Sequence, residues 1–121
     1  MDYIDCMLVP VKIADRAAYH KFAEEIDAAF IAHGALEVVD CWGVDVEDGE
    51  LTSMPRAVDL QDGEAVGFAW IRWPSKDVRD AAYAKVFADD GPFNAFPFDG
   101  RRMIFGGFEP MVDLKARHGG H

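Results

Sequence analysis

A chain of 121 residues, half of them hydrophobic and 28% charged, has the size and composition of one globular domain, able to bury about two-thirds of its unfolded surface without disulfides or metals. Acids outnumber bases 22 to 12, a formal net charge of -10, so no basic stripe is present to neutralise phosphates, and nucleic acid and anionic membranes make poor partners. The opening Met1-Asp2-Tyr3-Ile4-Asp5 carries acids where a secretory signal needs Lys or Arg, and no apolar run reaches transmembrane length, which places the protein in the cytoplasm.

Residues 3 to 11 alternate, with Tyr3, Asp5, Met7 and Val9 on one face and Ile4, Cys6 and Leu8 on the other: a first strand. Pro10 removes a ladder donor and predicts an edge or a termination there. Asp15 is then a candidate N-cap, and Tyr19, Phe22, Ala23, Ile26, Phe30 and His33 recur at helical spacing up to a C-terminal Gly34. Arg16, His20, Lys21, Glu24 and Asp27 read as that helix's solvated side. Ala35 to Val46 forms a second strand, with Leu36, Val38, Asp40, Trp42 and Val44 on one face, and Asp48-Gly49 reads as a hairpin-type turn.

The excursion from Leu51 to Leu60 is broken by Pro55, and Asp62-Gly63 turns the chain back toward the sheet. From Glu37 to Glu64 there are nine acids and one base, Arg56, which reads as a solvated acidic lobe lacking the spacing of a calcium loop. The third strand, Glu64 to Trp73, separates Val66, Phe68, Trp70 and Arg72 from a small-residue face of Ala65, Gly67, Ala69 and Ile71 that suits a close-lying helix. Pro74 stops it, Ser75 caps, and Val78, Ala81, Ala82, Val86 and Phe87 line a second helix ended by Gly91-Pro92. A loop rich in Phe and Pro leads through Asp99-Gly100 to a last strand, Met103 to Phe108, apolar on both faces; its Gly106-Gly107 pair marks a bulge or a close approach. Residues 1–113 thus form one domain. Residues 114–121 read as a frayed tail, with His118 and His121 in it poor evidence for a metal site.

Strand, helix, strand, strand, helix, strand is the βαββαβ order of a ferredoxin-like α+β fold, an antiparallel four-stranded sheet with two helices on one face. The uncovered face is expected to carry Phe68, Trp70, Val38 and Trp42, with either Ile104 and Phe108 or Met103 and Phe105. So much apolar surface calls for a second copy packed face to face, a homodimer.

PFDGRRMIFGGFE at the end of the domain, DCWGVD at Asp40 to Asp45, FAWIRWPSKDVRD at Phe68 to Asp80 and the opening YIDCMLVPV together resemble the YbaA-like family of uncharacterised bacterial proteins, domain of unknown function 1428. The resemblance spans nearly the whole chain and implies a dimeric α/β barrel. It implies no reaction and no site residues, and the wider barrel group ranges from small monooxygenases, haem-handling enzymes and isomerases to ligand-sensing modules.

Chemistry is sought in the polar residues set among apolar strand positions. Asp5 lies among Tyr3, Met7 and Val9; Arg72 lies with Phe68 and Trp70; Asp40 sits between Val38 and Trp42. Were these faces to coincide, carboxylates, an arginine and aromatic rings would line a space between the dimer's sheets, suited to a small, partly aromatic or anionic ligand. Asp5 and Arg72 are the candidate catalytic pair, and Tyr3, Asp40, Trp42, Phe68, Trp70 and Arg102 the candidate ligand contacts. Against this stands the rule that buried charges are usually paired structural groups. Two readings result: a homodimeric small-molecule-binding module, or a cofactor-independent enzyme with its site between sheet and helices, Asp5 accepting a proton while Arg72 or Arg102 holds an anionic substrate. No metal or cofactor is implied, and Cys6 and Cys41 read as inert buried thiols of a reducing compartment.

Overall fold

The computed structural model describes residues 1–116. Alternating runs become β1 (Tyr3–Lys12), β2 (Glu37–Trp42), β3 (Glu64–Trp73) and β4 (Ile104–Phe108), and the two helical patterns become α1 (Arg16–Ala32) and α3 (Lys76–Val86), with a single-turn α2 (Met54–Ala57) in the excursion between β2 and β3. The strands form one antiparallel sheet in the order β2-β3-β1-β4. This is the ferredoxin-like fold expected, with α2 as an addition. No described helix is long and apolar enough to cross a membrane.

Local signals explain most boundaries. Gly34, at φ +114°, ends α1 in a conformation open to glycine. The Ser75 hydroxyl accepts from the Val78 amide at 3.2 Å to start α3. Asp15, by contrast, precedes α1 without accepting a cap bond, because a 3₁₀ turn at Ile13–Asp15 already leads into the helix. β1 is central, not an edge: β4 pairs only with Ile4 to Leu8, so Pro10 lies past the end of that ladder and removes no bond from it. β2 stops at Trp42, and Asp48-Gly49 is no hairpin turn. Arg56 donates to Asp48 at 2.8 Å instead, folding the loop onto α2.

Both long helices cover one face. Ile26 and Phe30 of α1 and Ala82 and Val86 of α3 share a core with Ile71 and Trp73 of β3. The ladder sets Tyr3, Asp5, Met7, Val9 and Val11 on the same side, opposite Trp73, Ile71, Ala69, Gly67 and Ala65. Because Asp40 pairs with Ala69 and Trp42 with Gly67, β2 turns Val38, Asp40 and Trp42 toward the helices as well. That corrects the expected composition of the uncovered face, which carries Val39 and Cys41 in place of Val38 and Trp42, beside Phe68, Trp70, Ile104 and Phe108. Cys41 is accordingly exposed and Cys6 half-buried, and both are free thiols. His33, expected on the apolar stripe, is exposed.

Candidate functional site

Between the sheet and its helices lies a cavity of about 300 Å³. The small residues of β3 leave the room: Ala69 forms its floor with Met7 and Ile71, where larger side chains would fill it. Aromatic rings supply the walls. The loop after α3 folds over α1, bringing Phe96 to 5.7 Å from Phe22 between ring centres and stacking Phe98 on Phe96 at 5.2 Å. Phe105, largely exposed, and Phe96 stand on the lining and reach solvent, so they mark the mouth. The surface is apolar except at two places.

The first is Asp5, only 5% exposed on β1. Its Oδ2 accepts from the Tyr83 hydroxyl at 2.7 Å and the Trp73 indole N–H at 3.0 Å, and Arg79 Nε stands 3.6 Å away. Burial, reinforced by the bond to Asp5, pushes the Tyr83 hydroxyl well above its ordinary pKa, so Tyr83 remains a donor. Arg79 is fixed from its other side, donating to the Tyr3 hydroxyl at 2.6 Å with its guanidinium 4.9 Å over the Tyr3 ring. Asp5 Oδ1 accepts no hydrogen bond from any described side chain, and Asp5 lines the cavity.

The second pole joins Asp27 of α1 to Asp40 of β2, both on the cavity lining. The Tyr19 hydroxyl donates to Asp40 Oδ1 at 3.1 Å. Burial, then Asp40 as a neighbouring acceptor and its charge, raise the proton affinity of Asp27, its pKa pushed up to about 9. Burial first, and then Asp40, likewise hold the Tyr19 hydroxyl protonated. Neither Asp27 nor Asp40 has a cation within ion-pair distance among the described residues. No group of three His, Cys, Asp or Glu among those residues could hold a metal ion.

A model of the family described as "Protein of unknown function (DUF1428)" matches residues 2–100. The chain belongs to the DUF1428 family. The uncharacterized protein YbaA of Escherichia coli K12 is 42% identical over 116 residues, covering 93% of this chain and 99% of YbaA, and YbaA of Shigella flexneri matches to the same extent. Among solved structures, a dimeric ferredoxin-like protein from an uncultured marine organism superposes with a TM-score of 0.59 at 8% identity, covering 95% of this chain and 98% of that one. Rv0793 from Mycobacterium tuberculosis does so with 0.51 at 14% identity, covering 95% and 100%. At such identities the likeness is one of fold.

In this DUF1428 member the candidate residues picked out from sequence are divided among four places. Asp5 and Asp40 line the cavity, and Tyr3 stands behind Asp5, holding Arg79. Trp42 faces the helices but packs against Val9, Val11 and Tyr19 beside the cavity, with Arg16 stacked 4.9 Å over its ring. Phe68, Trp70 and Arg72 belong to the uncovered face; Arg72 is bound there by Asp2 at 2.8 Å, Glu37 at 2.9 Å and Asp113 at 3.0 Å. Arg102 forms a double bond pattern with Glu64, at 2.7 and 2.8 Å, and bonds Asp99 at 3.1 Å. Among the described residues no arginine lines the cavity, which corrects the expectation of an anion held there by Arg72 or Arg102. A sheet also separates Asp5 from Arg72, so the basic neighbour of Asp5 is Arg79. Asp27, read from sequence as solvated, is a cavity residue. Its spacing held the signal: Asp27 stands four residues after Ala23 and three before Phe30, both on the buried stripe.

The expected C-terminal tail is described only to Lys115 and Ala116, and the histidines considered as metal ligands, His118 and His121, lie outside the described residues.

Proposed function

We propose that this chain is a cytoplasmic homodimeric module that binds a small molecule in the cavity between sheet and helices. One observation carries the reading: a solvent-reached space of about 300 Å³, walled by aromatic rings and interrupted by two separate polar poles, persists in a chain that had enough Phe to fill it. Interiors are otherwise close-packed, and a void of this size costs stability unless something occupies it. Dimerisation is supported by the opposite face of the sheet, where Ile104 and Phe108 at one edge and Val39 at the other are 41%, 56% and 37% exposed. The marine protein of the same fold is dimeric, which adds support from architecture.

Face-to-face sheets would leave both cavities open on the outer, helical sides. A screen of small aromatic molecules by thermal shift tests the binding reading, since a ligand of the folded form raises its melting temperature. The expected hits lose their effect when Ala69→Phe fills the cavity floor. Hits that stabilise Ala69→Phe as much as the parent chain would place binding elsewhere and overturn the reading.

A second, catalytic reading is favoured by a single feature, two carboxyl groups on the lining of one apolar space with the proton affinity of Asp27 raised by burial, which suits it to donate while Asp40 accepts. On this reading the acid-base element is that pair and not Asp5 with Arg72. Turnover of a bound compound that survived the double change Asp27→Asn with Asp40→Asn would sink it.

A further inference from the structure

Resting on the reading of the cavity as a binding site, we infer that its ligand is an organic cation: a small arylalkylamine whose ammonium group sits at Asp27 and Asp40, whose ring lies among the phenylalanines and whose far end carries a hydrogen-bond donor for Asp5.

Charge decides the sign. The acid at the first pole has its counter-ion built in, for Arg79 stands 3.6 Å from Asp5. At the second pole Asp27 and Asp40 both line the cavity, the Tyr19 hydroxyl bonds Asp40, and among the described residues no cation stands within ion-pair distance of either, so their negative charge faces an apolar space uncompensated. A carboxylate or phosphate entering would be repelled there and would find no arginine or lysine on the lining among the described residues. An ammonium set against the ionised carboxyl group would compensate that charge while the other carboxyl group keeps its proton, leaving the pole neutral. A metal ion would need more oxygen or nitrogen ligands than this pole offers.

The walls fit the same class. Tyr19, Phe22 and Phe98 surround the approach to Asp27 and Asp40, with Phe98 6.0 Å from Tyr19 and 6.3 Å from Phe22 between ring centres. Rings so placed present π-faces to a cation and flat apolar contact to an aromatic body. At the opposite pole Asp5 lines the cavity, and its Oδ1 accepts from no described side chain while three groups gather at Oδ2. That oxygen has acceptor capacity to spare, which a phenol or hydroxyl at the far end of the ligand can use.

Tyramine, with hydroxyphenylpropionate and hydroxyphenylethanol as its matched acid and alcohol, tests this by calorimetric titration of the full chain. Tyramine is expected to bind about ten-fold more tightly than the alcohol, with the acid weakest. Asp27→Asn retains one charge at the pole and keeps the preference; Asp27→Asn with Asp40→Asn removes both charges and brings tyramine down to the alcohol's affinity, with the melting transition confirming a folded protein. Equal or tighter binding of the acid, or a tyramine preference unchanged in the double variant, overturns the cation assignment while leaving the cavity a binding site. If none of the three binds, the arylalkylamine assignment fails, while the binding reading stands or falls separately on the thermal-shift screen against Ala69→Phe.

Discussion

Asp5 and Arg72 stand one ladder step apart, Asp5 facing Ile71 and Ile4 facing Arg72 across β1 and β3, and that step puts their side chains on opposite surfaces of the sheet. Each therefore has its own partners. Asp5 holds Tyr83, Trp73 and Arg79 on the helical side, while Arg72 gathers Asp2, Glu37 and Asp113 on the other. Asp5→Ala strands two buried donors and a cation and should destabilise the protein by about 2–4 kcal/mol in urea unfolding. Combined with Arg72→Ala, the two losses should add to within about 0.5 kcal/mol, because no partner is shared. A larger coupling energy would mean the two groups communicate through the sheet.

The Gly106-Gly107 pair in β4 acts through the same network. A side-chain carbon at Gly107 would fall on the Tyr3 ring and hydroxyl, which lie across the strand at that point. Gly107→Ala must push Tyr3 away from Arg79, loosening the support behind Asp5, with an expected loss of about 1–3 kcal/mol typical of overpacking. Tyr3→Ala in the same chain removes the clash, so the double variant should be more stable than the sum of the single losses. Strict additivity would show that the strand moves instead of the ring.

The carboxyl groups give the stability a two-sided pH dependence. Asp27 binds its proton more tightly when folded than its ordinary value of 3.8, so the folded state holds more protons than the unfolded chain above that value. The resulting stabilisation is complete in acid and is lost as pH rises toward the folded value. Asp99 runs the other way: hydrogen bonds from Arg101 and then Arg102 bring it down to about 2, and Arg102 lowers Glu64, so their stabilisation is present at neutral pH and is lost in strong acid. Urea midpoints should therefore fall between about pH 5 and about pH 9, and Asp27→Asn should flatten that slope without touching the acid limb. A slope unchanged by Asp27→Asn would show that Asp27 does not carry the raised proton affinity.

How much of this was legible beforehand depended on whether a periodicity or a register was needed. Strand alternation and the helical stripe of Tyr19, Ala23, Ile26 and Phe30 carry enough signal to place every main element, and the fold follows from their order. The face taken by β2 does not follow, since a shift of one residue exchanges Val38, Asp40 and Trp42 for Val39 and Cys41. A size match held the answer: Trp42 pairs with Gly67, a bulky ring over a bare backbone, with Tyr19 above. Asp27 was hidden for a different reason. A carboxyl group on the margin of an apolar stripe looks like a solvated one until a second acid arrives from another strand, and that contact spans elements far apart in the chain.

The uncovered face gives the last test. Phe108 pairs with Ile4 at the edge strand and leaves more than half its surface open, while Ile104 and Phe68 continue the apolar surface inward around Cys6 and Leu8. Light scattering on the parent chain should report about twice the 13.4 kDa of one chain at micromolar concentration. Phe108→Glu would place a charge on the apolar face that two facing sheets would bury, and should shift the population to a single 13.4 kDa species. Because Phe108 faces away from the helices, the cavity and its ligand affinity should be unaltered in that variant. A parent chain that already ran as the single species would leave the apolar face without its second copy, and a variant that lost ligand along with assembly would tie the cavity to the interface.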